Sequence, residues 1–157
     1  MYRKLLSATA LALCLIPAAH ADLYVGAKTG PMLVDISGAD DPTNVALTLG
    51  YELGILVADV GLEAEFSRTA SDGDVAGQPL EVETNALYVS FVTPGPLYLK
   101  LRGGIADTEV SIGSASTSDN DTSLGVGLGV SAGILRFEIE YTQIENDVDF
   151  LSFGVQF

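Results

Sequence analysis

Tryptophan is absent from the 157-residue sequence, and cysteine and histidine occur once each. Both single residues, Cys14 and His20, fall within the first 21 positions. Those positions have the form of an export leader. Arg3 and Lys4 open it, an almost unbroken apolar run follows from Leu5 to Ile16, and Ala19-His20-Ala21 gives a small-x-small cleavage site. The run falls short of the about 20 apolar residues that a spanning helix needs. Cleavage after Ala21 is therefore expected, with a mature chain beginning at Asp22. Such a chain has no thiol and no imidazole. That excludes a disulfide framework, zinc held by His or Cys, and hydrolysis by a histidine-activated nucleophile.

Positive charge is nearly as scarce. Beyond the leader only Lys28, Arg68, Lys100, Arg102 and Arg136 are basic, five against 21 acids, for a net charge of −16. Binding to nucleic acid needs clustered Lys and Arg against phosphate, so no nucleic-acid partner is expected.

After Asp22 no helical period stands out. Alternation with a period of two does, in segments of about ten residues, the pattern of transmembrane barrel strands. Eight segments can be read: 23–33, 45–52, 57–68, 82–92, 97–108, 124–131, 135–144 and 148–157. Short connections near Leu53-Gly54-Ile55-Leu56, Thr93-Pro94-Gly95-Pro96 and Ala132-Gly133-Ile134 alternate with longer polar ones at 34–44, 69–81 and 109–123 and a fourth at 145–147. The expected fold is all-β: a single domain, 22–157, forming an eight-stranded antiparallel up-and-down transmembrane β-barrel. Its short turns would face the periplasm and its longer acidic loops the outside.

Side-chain parity sharpens this expectation. Ala58, Val60, Leu62, Ala64 and Phe66 share one face of their strand, and Asp59, Gly61, Glu63, Glu65 and Ser67 the other. Leu135, Phe137, Ile139 and Tyr141 likewise oppose Arg136, Glu138, Glu140 and Thr142. A soluble half-buried sheet, or a soluble lipocalin-like barrel, can alternate in the same way. The polar face here interleaves charges with glycines, which suits a lumen where glycine leaves room for long side chains. On the apolar parity, Tyr51, Phe91 and Phe157 fall at periplasmic ends and Phe66 and Tyr141 at outer ends, as two interfacial girdles. The fourth segment fits less well, because Glu83 and Asn85 take the lipid-facing parity. Either the strand rises above the bilayer there or a bulge shifts its register.

Ten charged residues point inward on this parity: Lys28, Glu52, Asp59, Glu63, Glu65, Lys100, Arg102, Arg136, Glu138 and Glu140. Side chains fill the interior of an eight-stranded barrel, and buried charge must be paired. Lys100 and Arg102 are expected to bridge Glu63, Glu65, Glu138 and Glu140 as a plug, with a salt-bridge gate on a narrow ion path as the alternative. The pairs Glu63/Glu65 and Glu138/Glu140 each share a face and have the geometry for acid–base work, but with bases opposite them salt bridging is expected instead, and no enzyme activity.

Fourteen acids, including Asp72, Asp74, Asp119 and Asp121, lie on the outer loops or strand tips, opposed only by Arg68. Solvated loops are one reading. The other is an adhesin surface, or calcium or magnesium bound by Asp72/Asp74 or Asp119/Asp121 beside lipopolysaccharide phosphates. No other cofactor is expected.

The segments Gly61-Leu62-Glu63-Ala64-Glu65-Phe66 and Phe137-Glu138-Ile139-Glu140-Tyr141, with Leu151-Ser152-Phe153-Gly154-Val155-Gln156-Phe157, resemble the small outer-membrane β-barrel superfamily of Gram-negative bacteria. That group includes the OmpA transmembrane domain, OmpX-like proteins and opacity-type surface antigens. The resemblance covers the whole of 22–157. It implies a cell outer-membrane location, contact with outer-membrane lipid and lipopolysaccharide, and delivery by periplasmic chaperones to the barrel-assembly machinery. It also implies an assembly signal in the last strand, carried here by Phe153 and Phe157, with Val155 where a second aromatic is common. Family members are variously structural, adhesive or stress-related; a monomer with a structural or surface-interaction role is expected.

Overall fold

Alternating residues with β-branched and aromatic members favour extended backbone, and strand after strand pairs with its neighbour until the sheet closes. The computed structural model describes residues 21–55 and 57–157. The leader, with Cys14, Ala19 and His20, lies outside the described residues; Ala21 is described as the first residue of a strand, paired with Leu53.

Ten strands follow one another: β1 (Ala21–Val34), β2 (Ala39–Asp40), β3 (Thr43–Ile55), β4 (Ala58–Ser71), β5 (Gly73–Val75), β6 (Gln78–Val92), β7 (Leu97–Ile112), β8 (Ala115–Ala132), β9 (Leu135–Glu145) and β10 (Val148–Gln156). Eight of them, β1, β3, β4, β6, β7, β8, β9 and β10, pair antiparallel around a closed ring, with β1 against β10 and β6 against both β4 and β7. Closure is completed by Phe157 and Val25, which exchange backbone hydrogen bonds of 3.0 Å in both directions. The expected eight-stranded barrel is the observed one, with β2 and β5 as two short additions on the outer side.

The parity runs as expected along β6, which alternates exposed and buried from Val82 to Val92 without a register shift against either neighbour. Glu83 and Asn85 therefore face outward because the strand rises past the apolar belt, and no bulge intervenes. Register shifts occur instead at Thr43/Asn44 and Val148/Asp149.

The outer loops need correction. Residues 109–123 are almost wholly strand: β7 runs to Ile112, and β8 restarts at Ala115 after a two-residue tip with Gly113 at φ 59°. The segment 69–81 likewise continues β4 to Ser71 and holds β5, a tight Ala76-Gly77 turn and the start of β6. These stretches are mostly polar in composition and so lack the clean alternation that marks a half-buried strand, although Leu80 is fully buried and Val110 packs against the barrel interior. Backbone pairing makes them strands regardless: β7 pairs β8 from Leu99↔Leu128 out to Ile112↔Ala115, and β5 pairs β6 from Gly73↔Leu80 to Val75↔Gln78.

The apolar parity faces out. Leu62, Leu87, Leu97, Leu124 and Ile139 are each 60% exposed or more. A belt of this kind encircling a barrel is unfavourable in water and matches lipid.

Candidate functional site: the closed lumen

The inward parity builds three layers. The middle one is ionic. Lys28, Lys100 and Arg102 face Glu63, Glu65, Glu138 and Glu140, all of them buried. Lys28 Nζ lies 2.8 Å from Glu65 Oε2 and 2.7 Å from Glu140 Oε1. Arg102 grips Glu65 with both terminal nitrogens, at 2.7 and 3.0 Å, and its Nη2 also lies 2.7 Å from Glu140 Oε1 and donates to Thr142 Oγ1 at 2.8 Å. This fork geometry is what guanidinium offers a carboxylate. Lys100 Nζ is 2.9 Å from Glu63 Oε1 and 3.5 Å from both Glu138 Oε1 and Glu140 Oε2. The Lys100–Glu63 contact lies outside hydrogen-bonding angles, so it acts as an ion pair only.

Two devices let these long side chains fit. Glycines on facing strands clear the path: a Cβ on Gly125 would sit 2.9 Å from Arg102 Cγ, and one on Gly127 would sit 3.2 Å from the Glu138 carboxyl carbon. Aromatic rings fill the remainder. The Arg102 guanidinium stacks 3.9 Å from the Tyr88 ring centre, a cation–π contact in a site without water-facing surface.

Toward the periplasm a second layer consists of Tyr24, Tyr98, Glu52 and Arg136. Arg136 Nη1 donates to Glu52 Oε2 at 2.5 Å. The Tyr24 and Tyr98 rings lie flat over Gly50 and Gly129, their direct cross-strand partners, where any Cβ would collide with the ring. Asp59, expected in the charge network, lies outside it. It is the second residue of β4 at the periplasmic rim, half-buried, and makes no ion pair among the described residues, because water at the rim solvates it.

The third layer, toward the outside, is apolar. Met32, Val82, Ile144, Val148 and Phe150 are packed together with no more than 2% exposure, and Ala46, Ala86 and Ala106 leave space for them. Beside this layer Asn44 Nδ2 donates to Ser67 Oγ at 3.0 Å and to the Val82 carbonyl at 2.8 Å. Sequence reasoning missed the apolar layer and the inward Tyr24 and Tyr88, whereas Tyr98 shares the inward parity of Lys100 and Arg102. The signal was present: Met32 shares parity with Lys28, and Phe150 with Gly154.

The remaining sequence-derived residues sit on the outer surface of the wall. Tyr51, Phe66, Phe91, Tyr141, Phe153 and Phe157 are all outward and exposed, and Val155 is outward and half-buried. The aspartates proposed for a metal are not gathered into a ligand set: among the described residues no group of three or more His, Cys, Asp or Glu side chains could hold an ion. Three of the four carboxylates accept backbone hydrogen bonds. Asp74 accepts from the Gly77 N–H at 2.9 Å, Asp119 from Asn120 at 2.8 Å and Asp121 from Thr122 at 2.6 Å.

An inside-out barrel of eight strands with a filled polar lumen is an outer-membrane architecture, and the family comparison agrees: the outer membrane protein beta-barrel domain matches residues 5–157. The chain belongs to that family. No curated protein matches this outer-membrane barrel by sequence. Among solved structures it is similar to Neisserial surface protein A, with TM-score 0.59 and 15% identity over 87% of this chain and 97% of that one. It is similar to the same degree to Ail, the attachment invasion locus protein of Yersinia pestis, in complex with the heparin analogue sucrose octasulfate: TM-score 0.59, 15% identity, and coverage of 87% and 97%. The outer membrane enzyme PagL gives TM-score 0.53 at 11% identity over 85% of this chain and 97% of that one. At these identities the likeness is one of fold, and the fold carries surface proteins and an enzyme alike.

Proposed function

We propose that this outer-membrane barrel is a non-conducting, non-catalytic scaffold that presents an acidic β-ribbon at the cell surface for interaction. One observation carries the reading: the apolar layer of Met32, Val82, Ile144, Val148 and Phe150 lies across the lumen on the outer side of the ion-paired layer. An ion path would have to cross both. The carboxylates that could do acid–base work, Glu63, Glu65, Glu138 and Glu140, are buried against cations, with no approach for a substrate. What remains accessible is the extension of β6, β7 and β8. Its exposed residues include Glu81, Glu83, Asp107, Glu109 and Asp119. Ail is by its name an attachment protein, and its fold aligns over 97% of its chain with 87% of this one. The ligand it holds is polyanionic, whereas the ribbon here is acidic and suits a cationic partner.

Export through the 1–21 leader with cleavage after Ala21 belongs to the same reading. So does recognition of Phe153, Val155 and Phe157 by the barrel-assembly machinery, since all three line the outward face of the strand that closes the barrel. The test is planar-bilayer recording with the refolded protein. A silent membrane is expected, and reproducible conductance steps would replace the scaffold with the narrow-channel reading.

A further inference from the structure

The outward wall is not evenly filled. Across β10, β1, β3, β4 and β6 the lipid-facing side chains Ala27, Thr29 and Val45 are small, and they lie between the bulky Phe66 and Phe153. A groove of about 810 Å³ results. At its outer end stands Arg68, two residues beyond Phe66 on the same face of β4 and cross-strand from Val45. Two residues of strand rise about 6.6 Å, which places the guanidinium just outside the Phe66 girdle, at headgroup height, while the groove descends into the apolar belt.

Arg68 is unlike the other four bases of 22–157. Lys28, Lys100, Arg102 and Arg136 are all inward and ion-paired, whereas Arg68 is outward, exposed, and makes no ion pair or side-chain hydrogen bond among the described residues. Glu83 and Asn85 line the same outer end without pairing to it. An unpartnered guanidinium above an apolar groove matches a phosphorylated lipid, because Arg binds phosphate through parallel N–H bonds and acyl chains bury against the wall below. A second outward depression, of about 510 Å³ and bordered by Ala64 and Gly103, carries no base on its lining and has no such headgroup complement. The first groove reaches across five adjacent strands, about 19 Å at ordinary inter-strand spacing. That breadth suits several acyl chains side by side and favours a multi-acylated glycolipid over a two-chain phospholipid.

We propose that this groove is a binding site for lipid A, with Arg68 holding one of its phosphates. The inference rests on the outer-membrane placement and is independent of whether the lumen conducts or the ribbon binds a partner. Native mass spectrometry of the detergent-purified 22–157 barrel, with bis-phosphorylated hexa-acyl lipid A added, tests it. One retained lipid per barrel is expected. Retention should fall about tenfold or more in Arg68→Gln, the scale of one charge-assisted pair, and also in Ala27→Phe, which fills the groove. It should rise in Glu83→Gln, which removes a negative charge beside the phosphate. Heat-modifiable gel mobility confirms that each variant is folded. If Arg68→Gln does not fold, the unaltered protein decides through loss of binding to dephosphorylated lipid A. Equal retention by Arg68→Gln, equal retention of dephosphorylated lipid A, or equal retention of phosphatidylglycerol would each overturn the proposal.

Discussion

Lys28 Nζ lies 2.7 Å from Glu140 Oε1 although the closing strand β10 runs between β1 and β9. The crossing is possible because Gly154 of β10 stands directly opposite Lys28; a Cβ there would sit 2.9 Å from Lys28 Cγ and 3.3 Å from the Ala27 carbonyl oxygen. Gly154→Ala should therefore force the lysine stem aside at a cost of about 1–3 kcal/mol. Urea-dependent unfolding from lipid vesicles reads this out, and an unchanged midpoint would mean that the stem has room to spare.

The ionic layer is not charge-balanced. Three bases, Lys28, Lys100 and Arg102, face four acids. Glu140 touches all three bases, at 2.7, 3.5 and 2.7 Å, whereas Glu138 has one ion pair at 3.5 Å and no hydrogen bond to either oxygen. Removing a true partner leaves buried charge exposed to no counter-ion, so Glu140→Gln should cost about 3–5 kcal/mol. Glu138→Gln removes the surplus charge and should be neutral within about 1 kcal/mol or stabilising. Similar losses in the two variants would show that the layer works as one undivided network.

The two closures of the lumen act in series. Replacing Lys100 and Arg102 together with Met and Leu should destabilise the barrel yet leave bilayers silent, because the apolar layer remains. Phe150→Ala with Met32→Ala removes that layer at a cost of about 2–5 kcal/mol for each truncation, and it too should stay silent. Only the four-residue combination should conduct. Conductance in the first variant would make the ionic layer the sole barrier.

Outside the membrane, burial and then the neighbouring Asp119, Asp121 and Asp147 carboxylates push the Glu145 carboxyl above the usual glutamate range. A raised folded-state value means that the folded tip binds the proton more tightly than the unfolded chain does. The resulting stability is present in acid and is lost as pH rises through the raised value. Glu145→Gln should therefore increase hydrogen-exchange protection of residues 117–121 and 143–147 at neutral pH and change nothing in acid. The effect will be small, since solvent screens a group this exposed. Reduced protection at neutral pH would reverse the sign of the argument.

Strand number, order and facing were legible because one residue type recurs with a period of two wherever one face meets lipid. Legibility failed where that condition failed. Residues 109–123 are mostly Ser, Thr, Asp and Gly and largely exposed, so polarity suggested a loop where backbone pairing makes strands. Asp59 has the parity of Glu63 and Glu65, but parity does not report height, and at the rim water replaces an ionic partner. The apolar layer escaped notice for a related reason: Met32, Val82 and Phe150 are inward by parity, yet the charges below them on the same faces had already defined the lumen as polar.

The sequence by itself determined the alternation, the scarcity of bases and their common parity, and so the existence of two unlike faces on every strand. Alternation is symmetric, however; a soluble barrel with the apolar face inside has the same pattern. The interleaved charges and glycines pointed to the polar face as the lumen, and closure in three dimensions put it there. Eight strands enclose a space that glycines, tyrosines and eight buried charged side chains can fill, while most of the bulky Leu, Ile and Phe residues go outward into lipid. Closure also brought Lys28 to Glu140 across 112 residues of sequence, a contact that no local spacing encodes, and left Arg68 alone on the outer wall.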